Sequence, residues 1–133
     1  MAFTEFVLAT EAFTRKWELT VNARVATGEQ VNSAACNVYQ NYADNTANSM
    51  DLYLKMYDIN SGVTTGGSAT GSTNPDYIFL IPAGRAIDYT IVEGLLRFNT
   101  GLRALVSKDP GTSDASGTSS FGSSITVELY GTE

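Results

Sequence analysis

Apolar and polar residues alternate along much of the chain. From position 17 to 25 the odd positions are Trp17, Leu19, Val21, Ala23 and Val25, with Glu18, Thr20, Asn22 and Arg24 between them. A period of two is the mark of a β-strand with one buried and one solvated face, because successive side chains leave a strand on opposite sides. Met50, Leu52, Leu54 and Met56 repeat the rhythm against Asp51, Tyr53, Lys55 and Tyr57, so an aliphatic face is backed by one that mixes charge with tyrosine rings. Ile87, Tyr89 and Ile91 alternate with Asp88 and Thr90, and Ile125, Val127 and Leu129 alternate with Thr126 and Glu128. Weaker strand patterns cover 35–42, 77–81, 95–99 and 102–107.

Turn residues fall between these runs: Thr27-Gly28, Asp44-Asn45, Asn60-Ser61-Gly62, Pro82-Ala83-Gly84 and Glu93-Gly94. Such residues supply positive φ or a preset φ where the chain must reverse. Segments 62–75 and 109–120 are made almost wholly of small polar residues and read as surface loops. About eight short strands at this spacing predict an all-β fold, a two-sheet antiparallel sandwich of jelly-roll-like kind.

The sandwich domain is expected over 17–133, with 1–16 as an N-terminal arm or docking segment. Phe3, Phe6, Val7, Thr10 and Phe13 fit a helical stripe, whereas Thr4, Phe6 and Leu8 fit a strand, and the pattern leaves both open. Three phenylalanines in so short a stretch call for a partner surface, either the domain itself or a neighbouring subunit.

Composition narrows the function. The 133 residues, 43% hydrophobic, suffice for one ordinary domain core. A net charge of −6 with dispersed basic residues argues against nucleic acid and anionic membranes, which are bound through Lys and Arg clusters. The longest near-continuous apolar run, 77–81, is far short of a membrane span, and residues 1–10 lack a basic start leading into an apolar stretch. Synthesis in the cytoplasm is therefore expected.

The chain holds no histidine and one cysteine, Cys36. Ser-His and Cys-His nucleophile pairs are thereby ruled out, as are an intrachain disulfide and a zinc site built on Cys36 with a second Cys or a His. Cys36 itself reads as a buried, inert thiol. Asp51, Asp88, Glu93 and Glu128 lie on polar strand faces and read as solvated charges instead of a glycosidase pair. The glycine-rich run 64–75 lacks the Lys-Ser/Thr ending of a phosphate loop. Asp58, Asn60 and Gly62 begin like a calcium loop, but the spacing then fails, and a turn cap is the expected role. No catalytic residue, cofactor or metal is expected, and the protein is not expected to be an enzyme.

Tyrosine points elsewhere. Seven are present, mostly on predicted strands, and such rings bury apolar area while keeping a hydroxyl wet. Protein interfaces use this property, and so do sugar-binding platforms. Segment 77–81 is apolar on both strand faces, which predicts cover on both sides and hence a subunit contact at this strand or at the Tyr53/Tyr57 face. The interface candidates are Phe3, Phe6, Phe13, Tyr53, Tyr57, Tyr77 and Phe79.

From Asp51 onward the order of parts resembles small virion proteins of tailed bacteriophages, of the head-decoration, cement or fibre kind. The strand Leu52 to Asp58 is followed by a Gly/Thr loop, an apolar strand into Ile81-Pro82-Ala83-Gly84, and Gly94-Leu95-Leu96-Arg97-Phe98-Asn99-Thr100-Gly101-Leu102. A polar loop and a closing strand, Ile125 to Tyr130, complete the match. Arg85 stands where the group's phrase has a second glycine. The resemblance spans roughly 31–130, weakly before Leu52. It implies a jelly-roll-like sandwich, often trimeric, on the outer surface of a capsid or tail, made in the host cytoplasm. The implied partners are copies of itself and the major capsid protein or another virion protein, with no catalysis. A fibre module binding a host glycan is the alternative.

Overall fold

In a computed structural model the alternating runs are strands, and the described residues are 3–7, 15–23, 25, 28–62, 74–90, 96–111 and 120–133. Ten strands follow in order: β1 (Thr4–Val7), β2 (Arg15–Ala23), β3 (Glu29–Asn32), β4 (Cys36–Asp44), β5 (Leu52–Tyr57), β6 (Tyr77–Ile81), β7 (Ala86–Thr90), β8 (Leu96–Phe98), β9 (Leu102–Ser107) and β10 (Ser120–Thr132). They form two antiparallel sheets. The larger runs β1-β2-β10-β4-β7, with β8 also paired to β4, and the smaller runs β3-β9-β5-β6.

The pairing is nested. β2 pairs with β10, β3 with β9, β4 with β7 and β8, and β5 with β6. A chain folded into one long hairpin and then rolled across two sheets gives this order, which is the jelly-roll arrangement. The protein is thus an all-β, two-sheet sandwich. β3 and β1 add to the strands that the sequence pattern marks, and the stretch that fits either helix or strand is a strand at Thr4–Val7, paired with Arg15–Glu18 of its own domain.

Alternation explains the core. Trp17, Leu19 and Val21 of β2, Ile125, Val127 and Leu129 of β10, and Leu52, Leu54 and Met56 of β5 all turn inward and are buried. Leu102, Ala104 and Val106 of β9 complete the facing layer. Cys36 of β4 is fully buried in the same core, and burial is the main cause that pushes its thiol up to about 12. At neutral pH it is a protonated, inert filler.

Two polar clasps hold the ends. At one end Asn45, fully buried, directs its amide Nδ2 to the carbonyls of Met50 (2.9 Å), Ile81 (3.2 Å) and Pro82 (3.3 Å). Asn48 donates to Asn45 Oδ1 (2.9 Å) and to the Ser123 carbonyl (3.0 Å), and accepts from the Ser123 N–H (2.8 Å). The β4–β5 corner, the end of β6 and the irregular start of β10 are thereby tied together. Asp51 receives the Ala83 N–H at 2.8 Å, fixing the β6–β7 turn in which Gly84 has a φ of 69°.

At the other end Asp58 accepts backbone N–H groups from Thr100 (2.8 Å), Asn99 (3.0 Å) and Gly101 (3.4 Å). Its own N–H donates to Asp76 at 2.7 Å. Burial works against its charge. The three N–H donors and nearby Arg97 outweigh burial and hold its carboxyl below the usual aspartate range. The expected turn cap at Asp58 is in place, closing the β8–β9 turn.

Candidate interaction surface

The two sheets carry different chemistry on the sides that face away from the shared core. On the larger sheet, Lys16 Nζ lies 3.2 Å from Glu18 and 3.4 Å from Glu128, and 5.9 Å from the centre of the Tyr130 ring. Tyr130 donates its hydroxyl to Glu128 at 2.7 Å. Burial and this acidic neighbour, in that order, raise its phenol pKa. Thr20 and Thr126 hydrogen-bond across the strands at 3.1 Å. Tyr42 sits opposite Glu128 on one side and Asp88 on the other, and Gln40, opposite Tyr130, donates its amide to Asp88 at 2.8 Å, so the face is a continuous polar layer with tyrosine rings set in it.

The outer side of the smaller sheet mixes apolar side chains with Lys55, Arg103 and Ser107. Tyr53, Lys55 and Tyr57 of β5 pair with Ser107, Leu105 and Arg103 of β9, and Tyr53 and Lys55 pair with Leu80 and Ile78 of β6. Tyr57 and Leu105 form a second small cluster joined by Ile59, separate from the main core. Lys55, Tyr57 and Ser107 are each 0% exposed, whereas Ile78 (37%) and Leu80 (41%) are the large hydrophobics that remain exposed among the described residues. Half-buried Tyr53 borders them. Fully covering a Leu or Ile side chain contributes about 1.5–3 kcal/mol, so the open part of each is worth on the order of 1 kcal/mol to a partner.

The interface candidates are distributed as follows. Tyr53 lies on this outer side. Tyr57 does too, but it is buried within the chain. Tyr77 and Phe79 point to the inner side of β6 and pack at the rim of the main core, Tyr77 edge-on to Phe98 (5.7 Å, 71°) and Phe79 tilted against Tyr89 (5.1 Å, 46°). Tyr89 then donates its hydroxyl to the Leu80 carbonyl at 2.8 Å. Phe3 is half-buried against the core. Phe6 pairs with Lys16 through the backbone, and its side chain, like Phe13 as a whole, lies outside the described residues. Segments 63–73 and 112–119, which make up most of the two loops expected from the sequence, also lie outside them.

Ile78 and Leu80, the exposed members of the 77–81 run, are not among the candidates named from the sequence. In a run apolar at every position, nothing local says which parity faces out. The parity is set by pairing, since Leu52 against Ile81 puts Ile81 into the core and so turns Leu80 and Ile78 outward.

Among the described residues no three His, Cys, Asp or Glu side chains gather in a way that could hold a metal ion. No family model matches the chain, and no curated protein matches it either.

Proposed function

We propose that this protein is a virion structural protein, a capsid cement or decoration protein that binds and stabilises the lattice of the major capsid protein. The observation that carries the reading is the uncharged strip of exposed Ile78 and Leu80, bordered by half-buried Tyr53, on a chain of net charge −6. Exposed apolar area bordered by polar surface marks a protein contact, and a sheet face offers a broad, rigid one. The jelly roll supports the assignment, since viral capsid domains use it often, although the same fold also serves lectins and enzymes. The sequence resemblance from Asp51 onward supports it as well. Many weak contacts repeated by symmetry add up to strong cohesion of a shell without any single tight site.

In this reading the protein is a homo-oligomer, a trimer by the resemblance, on the outer surface of the capsid. It acts without a cofactor or catalytic group. The test is mass spectrometry of purified particles of the virus that carries the gene, followed by cryo-microscopy of one. Presence in fixed ratio to the major capsid protein is expected. Its absence from particles whose infected-cell lysate contains it would overturn the assignment.

A second reading draws on the larger sheet. Tyr42 and Tyr130 stand beside Gln40, Glu128 and Thr126 on one polar face, a combination of stacking rings and hydrogen-bonding groups that suits a sugar. Binding of the isolated protein on a glycan array, lost in Tyr130→Ala, would favour a host-glycan fibre module.

A further inference from the structure

The five strands that can act as sheet edges are not alike. β1 is four residues long and carries Glu5, β3 is four residues long and carries Glu29, β7 carries Asp88, and β8 is three residues long and carries Arg97. Charges and shortness of this kind block unwanted strand pairing. β6 reads Tyr-Ile-Phe-Leu-Ile, with no charge and no proline, and no strand among the described residues pairs with it on the side away from β5. An open edge of backbone donors and acceptors is complementary to another extended strand.

The side chains narrow the choice of strand. The exposed pair, Ile78 and Leu80, is symmetric about Phe79. In an antiparallel pairing centred on Phe79, Ile78 lies opposite Leu80 of the second strand, and Leu80 opposite its Ile78. Both exposed aliphatics then find an aliphatic cross-strand partner on the same face. Two copies that each carry a net charge of −6 repel over most of their surface, and β6 presents an edge with no charge to bring together. Tyr89 already donates to the Leu80 carbonyl, whose second lone pair can still accept a strand partner.

We propose that β6 pairs antiparallel with β6 of a second copy about a two-fold axis at Phe79, joining the two 4-stranded sheets edge to edge into one. The inference rests on the reading of the protein as a self-associating virion component, and it specifies how two copies meet. A two-fold contact is isologous and builds a dimer, in place of the trimer that the resemblance implies.

The full chain is examined by sedimentation equilibrium and by disulfide cross-linking. The unsubstituted protein is expected to be a dimer at micromolar concentration. Leu80→Lys, which places a charge on the exposed edge without touching the core, is expected to raise the dimer dissociation constant at least tenfold. Thr20→Lys on the opposite sheet serves as the control and should leave it unchanged. Buried Cys36 stays out of the cross-linking. Mixing Ile78→Cys with Leu80→Cys chains should give cross-linked heterodimers under mild oxidation, while each alone should cross-link far less.

A monomer up to about 100 µM, an oligomer indifferent to Leu80→Lys, or cross-linking equally efficient in each variant alone would overturn the pairing. A monomer that is nonetheless found in virus particles removes the pairing and leaves the capsid role standing. A Leu80→Lys-sensitive dimer that is absent from particles does the reverse.

Discussion

On the larger sheet the outward layer is Lys16, Glu18, Thr20, Thr126, Glu128 and Tyr130, all half-buried and linked to one another by hydrogen bonds and ion pairs. On the smaller sheet the corresponding layer is Tyr53, Lys55, Tyr57, Arg103, Leu105, Ser107, Ile78 and Leu80, part of it sealed inside the chain and part left open. Both sheets present the same core-facing alternation, so the core does not account for the difference. A polar outer layer gains little from further contact because its groups already have partners. Exposed aliphatic side chains leave area that only another surface can cover. Among the described residues, that open area lies on the smaller sheet, at Ile78 and Leu80.

The contrast can be broken most severely from the larger sheet. β10 approaches β4 through an irregular register between Tyr130 and Gly131, and a Cβ at Gly131 would fall on the Asn37 carbonyl oxygen and press on the Trp17 ring. Because backbone cannot yield as a flexible side chain can, Gly131→Ala should cost about 3 kcal/mol. Urea unfolding measures it, and a loss under about 1 kcal/mol would show that the two strands have room to separate.

A direct comparison of the two outer layers comes next. Leu105→Ala, at a position 1% exposed, should cost about 2–4 kcal/mol. Thr126→Ala, in the polar layer, should cost under about 1 kcal/mol through the lost Thr20 bond. Similar costs in the same unfolding assay would erase the distinction between the faces.

The smallest effect concerns the Asp58 clasp at the end of the smaller sheet. Its folded-state pKa is depressed, so its contribution is full above the unfolded value near about 4. That contribution is lost as pH falls through the lower folded value. Asp58→Asn should remove about 1 kcal/mol at neutral pH and flatten the acid limb of the stability profile. An unchanged slope below about pH 4 would mean that the turn is held by other groups.

Much of the sandwich was legible because its long strands obey strict alternation: 17–23, 52–57 and 125–130 could be read directly as strands, and in 17–23 and 125–130 so could the buried face. β3 was not, since Glu-Gln-Val-Asn offers one apolar residue and gains its place from pairing with β9 and from Arg103 reaching the Gly28 carbonyl at 3.0 Å. Lys55 was misleading for a physical reason: a lysine in an alternating strand reads as solvated, yet here it is fully buried. Asn45 showed only as a turn residue and Asn48 was not marked by the sequence pattern, because their partners lie up to 75 positions away. For the candidate surface, Tyr53 was visible by alternation, whereas Ile78 and Leu80 needed the cross-strand register that sequence does not display.

The nested strand order also has a consequence for how the chain comes into being. β10 is the middle strand of the larger sheet, bonded to β2 on one side and β4 on the other, and Thr126 meets a partner 106 positions earlier. During synthesis β2 and β4 must wait, with their inward faces uncovered, until residues 120–132 clear the ribosome and slide between them. Contacts so distant along the chain make closure slow, in the millisecond-to-second range typical of such β topologies. The interval before that insertion is when the nascent protein is most exposed to misassembly with its neighbours.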